Sequence, residues 1–125
     1  MEQRVRNNMI DRDVFERLCG AIGRENVSDS IEERGCYSFD ATNVKLIPDL
    51  VITPHSTEQV SDILSIANKH NIPICTRGAG AVLSGGVVSI EGGIALDLKN
   101  MNRIVELNAR DLTITVEPGV VTKDL

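Results

Sequence analysis

Residues 48–86 read PDLVITPHSTEQVSDILSIANKHNIPICTRGAGAVLSGG, and this stretch decides the fold. Residues 50–52 are an apolar run rich in β-branched side chains, which predicts a buried strand. Ser56 with Gln59 three residues later forms a capping box, which predicts the start of a helix. A second buried strand is predicted over Ile72–Thr76. A strand, a capped helix and a second strand with short joints indicate a βαβ unit with parallel strands, whose ligands collect at the carboxyl ends of the strands.

The helix of this unit should bury one face, because its apolar residues recur with helical spacing. They are Val60, Ile63, Leu64 and Ala67, and Asn71 closes the helix. Upstream, Asp11 is placed to cap another amphipathic helix that ends near Gly23. Its apolar stripe is Phe15, Leu18, Cys19 and Ile22. Ser28–Pro48 shows neither helical nor strand periodicity, and we predict a loop or extended crossing segment there.

Residues 77–86, RGAGAVLSGG, directly follow the second predicted strand and contain four glycines. Glycines allow positive φ and let backbone N–H groups converge, which is a geometry that binds phosphate oxygens. Arg77 adds a positive charge at the strand end, and Ser84 adds a hydroxyl donor. A tight glycine turn between two strands explains the same pattern without a ligand. Spacing alone does not choose between these two interpretations.

Two familiar phosphate motifs can be compared with this loop. A P-loop requires Lys and then Ser or Thr after its last glycine, whereas Gly86-Val87 stand here, so the P-loop is excluded. The dinucleotide fingerprint is met at Gly78 and Gly80 but has Leu83 in place of its third glycine. Asp97, about twenty residues further on, resembles the ribose-binding acid of that fingerprint. Nicotinamide dinucleotide binding is therefore a weakened alternative that stays open.

Downstream of the loop, the pattern predicts a strand over Ile94–Leu98 and then a hairpin. The hairpin strands are Arg103–Leu107 and Leu112–Val116, joined by a polar turn at Asn108–Asp111. Alternation in its second strand predicts one buried and one solvated face. The whole chain thus reads as an α/β (α+β) fold, with a small and mostly parallel sheet, flanking helices and a hairpin.

The composition narrows the class of partner. The chain has 125 residues and a formal net charge of -5, so we expect neither nucleic acid nor an anionic membrane surface as a partner. It contains no apolar run long enough to cross a membrane and a polar start over residues 1–13, which predicts a cytoplasmic location.

Individual side chains give no sign of catalysis or metal binding. Cys19, Cys36 and Cys75 are widely spaced and odd in number, which is untypical of a disulfide framework or a zinc site. His55 lies at a predicted strand-to-helix joint and His70 at a helix end, where structural roles suffice. We therefore predict no catalytic residue and no metal ligand within this chain.

Three blocks in a fixed order resemble a known family. They are residues 48–86 quoted above, GGIALDLKNMNRIVELN at 92–108 and DLTITVEPGV at 111–120. The family is the FAD-binding domain shared by vanillyl-alcohol oxidase and p-cresol methylhydroxylase, and the resemblance is greatest to its glycolate oxidase and D-lactate dehydrogenase branch. It implies the N-terminal half of such a domain. Residues 1–47 would form a helix and extended segment, and residues 48–125 a truncated first subdomain.

The resemblance also implies where the cofactor binds. Backbone amides of the glycine loop would hold the pyrophosphate of non-covalently bound FAD. The positions carried over are Arg77, Gly78, Ala79, Gly80, Ala81, Leu83, Ser84 and Gly85 in the loop, and Pro118 and Gly119 from the family's EPG segment. The chain departs from the family at Ala81 and Val82, where Thr and often Gly are usual. Loss of the threonine hydroxyl removes one donor to phosphate, worth about 1 kcal/mol.

The activity implied is oxidation of a 2-hydroxy acid such as glycolate or D-lactate, with the flavin ring carrying the chemistry. The family's second α/β half and cap domain do not occur in these 125 residues. We therefore expect this fragment to bind FAD weakly and to be inactive alone. Its other expected partners are the remainder of the flavoenzyme or a second copy. The alternative function is a truncated, stand-alone binding or oligomerisation module.

Overall fold

The structure is a computed structural model that describes residues 10–40, 45–78, 86–89 and 92–125. Its elements in chain order are α1 (Arg12–Ile22), a 3-10 turn (Arg24–Asn26), β1 (Val27–Ser28), α2 (Ile31–Cys36), β2 (Leu50–Ile52), α3 (Thr57–Lys69), β3 (Ile74–Arg77), β4 (Ile94–Asp97), β5 (Ile104–Asn108), β6 (Thr113–Val116) and a second 3-10 turn (Thr122–Asp124). Among the described helices, none has the length and apolar character needed to cross a membrane.

Four strands form one sheet in the order β1-β2-β4-β3. β2 and β3 both run parallel to β4, with Leu50 and Ile74 each opposite Ile94, and β1 pairs antiparallel to β2. The parallel βαβ unit is therefore confirmed, with β4 inserted between its two strands. β5 and β6 form a separate antiparallel hairpin. The predicted α/β class, with a mostly parallel sheet, flanking helices and a hairpin, is confirmed.

The two long helices begin where the sequence predicts. The Asp11 side chain accepts a hydrogen bond from the Val14 amide at 2.9 Å, and Ser56 Oγ accepts one from the Gln59 amide at 3.3 Å. Gln59 Oε1 accepts a hydrogen bond from the backbone amide of His55 at 2.7 Å. In the predicted capping box, the donor would be the amide of the N-cap residue itself, Ser56. On α3, Leu64 is 48% exposed, so it does not share the buried face of that helix.

Both helices and the sheet share a single hydrophobic core. Its buried members are Ile10, Val14, Leu18, Ile22, Val27, Leu50, Ile52, Ile63, Ala67, Ile72, Ile94 and Leu96. Burial of this apolar surface is the main stabilising contribution to the fold. Residues from both sides of the proposed boundary at 47/48 contribute to the core, and the division into 1–47 and 48–125 stays a prediction.

The prediction of a loop or extended segment over Ser28–Pro48 is wrong in its first part. Ser28 belongs to β1, and α2 follows over Ile31–Cys36 with Ser30 as its N-cap. α2 has only six residues and buries none of them, and Ile31 is 56% exposed. A helix this short and this exposed carries no apolar stripe, so periodicity does not reveal it.

Two other strand predictions need correction. The second strand of the βαβ unit begins at Ile74, after Pro73, and its residues are half-buried or exposed because it pairs only with β4 among the described strands. In the hairpin, the predicted division into two faces forms only in part, because Ile114 and Val116 are half-buried and Thr113 and Thr115 are exposed, but no residue of β6 is fully buried. Leu112 lies in the turn with φ +53 and is 90% exposed, and Leu107 is 72% exposed. The alternation of apolar and polar residues predicted a strand, but it did not indicate which part of the protein would cover the apolar side chains.

Candidate functional site

A cleft of about 570 Å³ lies at the carboxyl ends of β3 and β4. Arg77, the last residue of β3, stands opposite Asp97, the last residue of β4. The cleft is lined by Cys36, Tyr37, Arg77, Gly78, Asp97, Lys99, Pro118, Gly119, Val120, Val121 and Thr122. Ligands of parallel sheets collect at this edge, so the cleft is the candidate site.

The structure brings together four residues that the sequence singled out. Arg77 and Gly78 at the end of β3 line the same cleft as Pro118 and Gly119, which follow the hairpin. The other residues of the predicted loop lie outside the described residues; they are Ala79, Gly80, Ala81, Leu83, Ser84 and Gly85. The ligand roles of all these residues stay predictions.

Arg77 is held against an aromatic ring. Its guanidinium carbon lies 4.9 Å from the centroid of the Tyr37 ring, and its Nη1 donates to the Tyr37 carbonyl oxygen at 3.3 Å. Within the described part of the chain, Arg77 forms no ion pair. A cation over a ring face is favourable but leaves most guanidinium N–H donors free for an anion.

Asp97 is the buried acid of the cleft, with 3% of its surface exposed. Its Oδ2 accepts from the Tyr37 hydroxyl at 2.6 Å and lies 3.4 Å from the Lys99 ammonium. Its Oδ1 accepts a hydrogen bond from the Lys99 amide at 3.0 Å, which caps the turn after β4. Lys99 Nζ also donates to the Tyr37 hydroxyl at 3.1 Å. Three side chains thus form one hydrogen-bonded network.

The protonation states in this network follow from its contacts. Burial, reinforced by the hydrogen bond to Asp97, raises the pKa of Tyr37 above its ordinary value. The hydrogen bond to Tyr37 raises the pKa of Lys99. The phenol is therefore neutral and the ammonium charged at neutral pH.

Sequence reasoning missed Tyr37 and Lys99. Tyr37 lies 60 residues from Asp97 and in a segment predicted to be irregular, so no local motif connects the two. The available local signal was the presence of Asp97 and Lys99 at the end of a predicted strand, which does not identify a distant partner.

The two glycines that line the cleft are constrained in different ways. At Gly78, an added Cβ would have the Pro118 carbonyl oxygen as its nearest neighbour, at 3.9 Å. At Gly119, it would collide with the carbonyl oxygen of Leu98 and lie 2.8 Å from that of Met101. The Gly119 amide also donates to Met101 at 2.8 Å. Gly119 is therefore needed for packing, whereas an added Cβ at Gly78 would meet the described residues only at an ordinary contact distance.

The remaining polar candidates have structural partners or form no cluster. The exposed His55 has its Nε2 3.1 Å from Asn26 Oδ1 and 3.3 Å from Asn100 Nδ2. Over the described ranges, no group of three or more His, Cys, Asp or Glu side chains is placed to hold a metal ion.

Comparison with known proteins bears directly on the cleft. The sequence pattern of the family described as FAD binding domain matches residues 48–125, which include both walls of the cleft. The chain belongs to this family. As an FAD-binding domain, it has FAD as its cofactor, and the predicted family is confirmed.

Three relatives illustrate how far the similarity of this FAD-binding domain extends. Over 118 residues, or 94% of the chain, it is 46% identical to glycolate oxidase subunit GlcD of Bacillus subtilis strain 168, of which it covers 25%. Over 78 residues, 62% of the chain, it is 41% identical to the probable mitochondrial D-lactate dehydrogenase of Danio rerio, of which it covers 16%. A solved structure of p-cresol methylhydroxylase aligns with 96% of the chain at a TM-score of 0.81 and 26% identity, and the match covers 24% of that protein. The FAD-binding domain thus spans a quarter or less of the length of each.

The described residues fit part of FAD. FAD carries a diphosphate, and the cleft offers Arg77 with unpaired donors in a chain of net charge -5. The lack of a Cβ at Gly78, which lines the cleft, allows a ligand to approach the backbone closely. The domain is related to flavin-dependent oxidoreductases.

Proposed function

We propose that the chain provides the pyrophosphate-binding part of a flavin-dependent oxidoreductase that oxidises a 2-hydroxy acid such as glycolate or D-lactate. The observation that supports the site is the cleft at the carboxyl ends of β3 and β4, where Arg77 and Gly78 face Pro118 and Gly119. The substrate class is taken from the names of the relatives in Bacillus subtilis and Danio rerio.

In this proposal, the two sides of the cleft, Arg77 with Gly78 and Pro118 with Gly119, have different roles. Arg77 balances part of the diphosphate charge, and Gly78 with the loop that follows it donates backbone N–H groups to phosphate oxygens. Pro118 and Gly119 form the opposite wall. Bound non-covalently, the flavin supplies the redox chemistry, so these residues bind and orient but do not react. The chain alone is expected to be inactive, and its cytoplasmic location stays a prediction.

Titration of FAD into the purified chain, followed by flavin fluorescence, tests the site. Gly78→Val adds a branched side chain at the cleft, where the nearest atom of the described residues to its Cβ is the Pro118 carbonyl oxygen, at an ordinary contact distance of 3.9 Å. We expect at least a tenfold loss of FAD affinity with little change in melting temperature. The matched control is Gly20→Val on α1, where nothing lies within 4 Å of an added Cβ. Equal affinities of the two variants, or no FAD binding by the wild type, would contradict the proposal.

Self-association is a second candidate function, favoured by the hairpin. β5 and β6 contact chiefly each other, and Val105, Leu107 and Leu112 are 64%, 72% and 90% exposed. A two-stranded sheet is only marginally stable by itself, and contiguous apolar surface tends to associate. We propose that a second copy of the chain covers this face.

Sedimentation velocity over a range of concentrations tests this pairing. The wild type should dimerise, and a chain with Val105→Lys and Leu107→Lys should remain monomeric. Leu64→Lys, at a site 48% exposed on α3, is the control and should dimerise like the wild type. A wild type that stays monomeric throughout would contradict the proposal.

A further inference from the structure

We propose that Tyr37, Asp97 and Lys99 set the charge that the cleft offers to a diphosphate. Asp97 neutralises Lys99, and Tyr37 is a positioning residue that orients Arg77. Arg77 is then the one cation of the described cleft that is available to the ligand. This inference rests on the proposed function and refines it, because it assigns roles to three residues that the glycine loop does not include.

The charges of the cleft support this assignment. Among its described lining residues, Arg77 and Lys99 are cationic and Asp97 is anionic, so the net charge is +1. The Lys99 ammonium is already held, at 3.4 Å from Asp97 Oδ2 and 3.1 Å from the Tyr37 hydroxyl. Arg77 has only the ring and the carbonyl oxygen of Tyr37 as described partners. Two cations therefore line the cleft, but only one has its charge unpaired.

Tyr37 joins the two halves of this arrangement. Its ring supports the Arg77 guanidinium at 4.9 Å, and its hydroxyl links Asp97 and Lys99. Loss of the Tyr37 ring leaves the positive charge of Arg77 in place but removes the contact that fixes the orientation of its guanidinium group. Tyr37→Leu should therefore weaken diphosphate binding, by about three- to fivefold from the strength of an exposed cation–π contact.

Asp97→Asn gives the sharpest test because it should strengthen binding. The asparagine oxygen can still accept a hydrogen bond, but the negative charge that neutralises Lys99 is gone. Lys99, with 55% of its side chain exposed, becomes a second cation for the ligand, and the net charge of the cleft rises to +2. We expect about two- to fivefold tighter binding, as for one added partly exposed ion pair. A purely structural role for Asp97 predicts the reverse, since damage to the cleft weakens binding.

The experiment is calorimetric titration of ADP, which contains the diphosphate without the flavin, at low and high salt. Affinity should rise in Asp97→Asn and become more dependent on salt, and Lys99→Met added to that variant should abolish the gain. In the wild-type background, Lys99→Met leaves Asp97 without its cation, lowers the net charge of the described cleft to zero and should weaken binding about two- to fivefold, whereas Arg77→Met should lower affinity at least tenfold. Thermal unfolding of each variant establishes that it is folded.

Each result bears on the inference separately from the proposed function. Unchanged or weaker ADP binding by folded Asp97→Asn would overturn the inference. If that variant does not fold, equal losses in Lys99→Met and Arg77→Met would overturn it instead. In either case, FAD binding by the wild type would leave the proposed function standing. A wild type that binds neither ADP nor FAD would overturn both.

Discussion

Replacing Gly119 with alanine should destabilise the chain more than its single added methyl group suggests. The new Cβ would collide with the carbonyl oxygen of Leu98 and lie 2.9 Å and 2.8 Å from those of Lys99 and Met101. These atoms are the backbone of the turn after β4, so relief requires movement of main chain. Overpacking of this kind costs about 1–3 kcal/mol. Displacement of the 2.8 Å hydrogen bond from the Gly119 amide to Met101 adds about 1 kcal/mol.

The expected loss is therefore about 3 kcal/mol, out of a total of about 5–15 kcal/mol for a domain of this size. At roughly 4 °C per kcal/mol, the melting temperature should fall by about 12 °C. Urea unfolding followed by circular dichroism measures the change directly. Gly78→Ala is the control from the same cleft and should stay within about 0.5 kcal/mol of the wild type, since the nearest atom of the described residues to its Cβ is at an ordinary contact distance of 3.9 Å. Matching stabilities for the two variants would refute the packing role assigned to Gly119.

Three further predictions concern the rest of the fold. Ile63→Ala empties a fully buried position and should cost about 2–5 kcal/mol in urea unfolding, whereas Leu64→Ala on the same helix should cost less than about 1 kcal/mol. Ser56→Ala removes the side-chain cap of α3 and should cost about 1 kcal/mol, with Ser56→Asp restoring stability if capping is the cause. Hydrogen bonds from Arg103 lower the pKa of Glu117 below its ordinary value of 4.5. The stabilisation that the ion pair gives the folded state is present above pH 4.5 and is lost as the pH falls through the folded-state pKa of Glu117. Glu117→Gln should therefore lower the melting temperature at pH 6 and have a smaller effect near pH 3. An effect of equal size at both pH values would contradict the ion pair.

The fold could be predicted where local signals agree with packing. α3 has thirteen residues, a side-chain cap at Ser56 and buried residues at helical spacing, so its existence and start were readable. α2 has six residues, none of them buried, and only its N-cap at Ser30 marks it. The place of β4 between β2 and β3 could not be read, because strand order depends on pairing between distant segments rather than on the composition of any one of them.

The candidate site also contains features that could be predicted from the sequence and features that could not. The glycine-rich stretch that starts at Gly78 was recognisable as a candidate because its residues are consecutive and the backbone freedom of glycine is a local property, and its ligand role stays a prediction. Tyr37 and Asp97 meet across 60 residues of sequence, and that contact exists only once α2 and β4 have packed. The exposed apolar side chains of the hairpin show a third limit. The alternating pattern predicted a strand, but it did not indicate which surface, if any, covers the exposed side chains of Leu107 and Leu112 elsewhere in the hairpin.

The central claim is that FAD binds in the cleft at the carboxyl ends of β3 and β4. Amide NMR spectra of the ¹⁵N-labelled chain, recorded during a titration with FAD, test it residue by residue. We expect the largest shifts at Gly78, Lys99, Gly119 and Val120, with little change in α1, which supplies none of the described lining residues of the cleft. Shifts centred on α1 or on the hairpin, or no shifts at a saturating concentration of FAD, would contradict it.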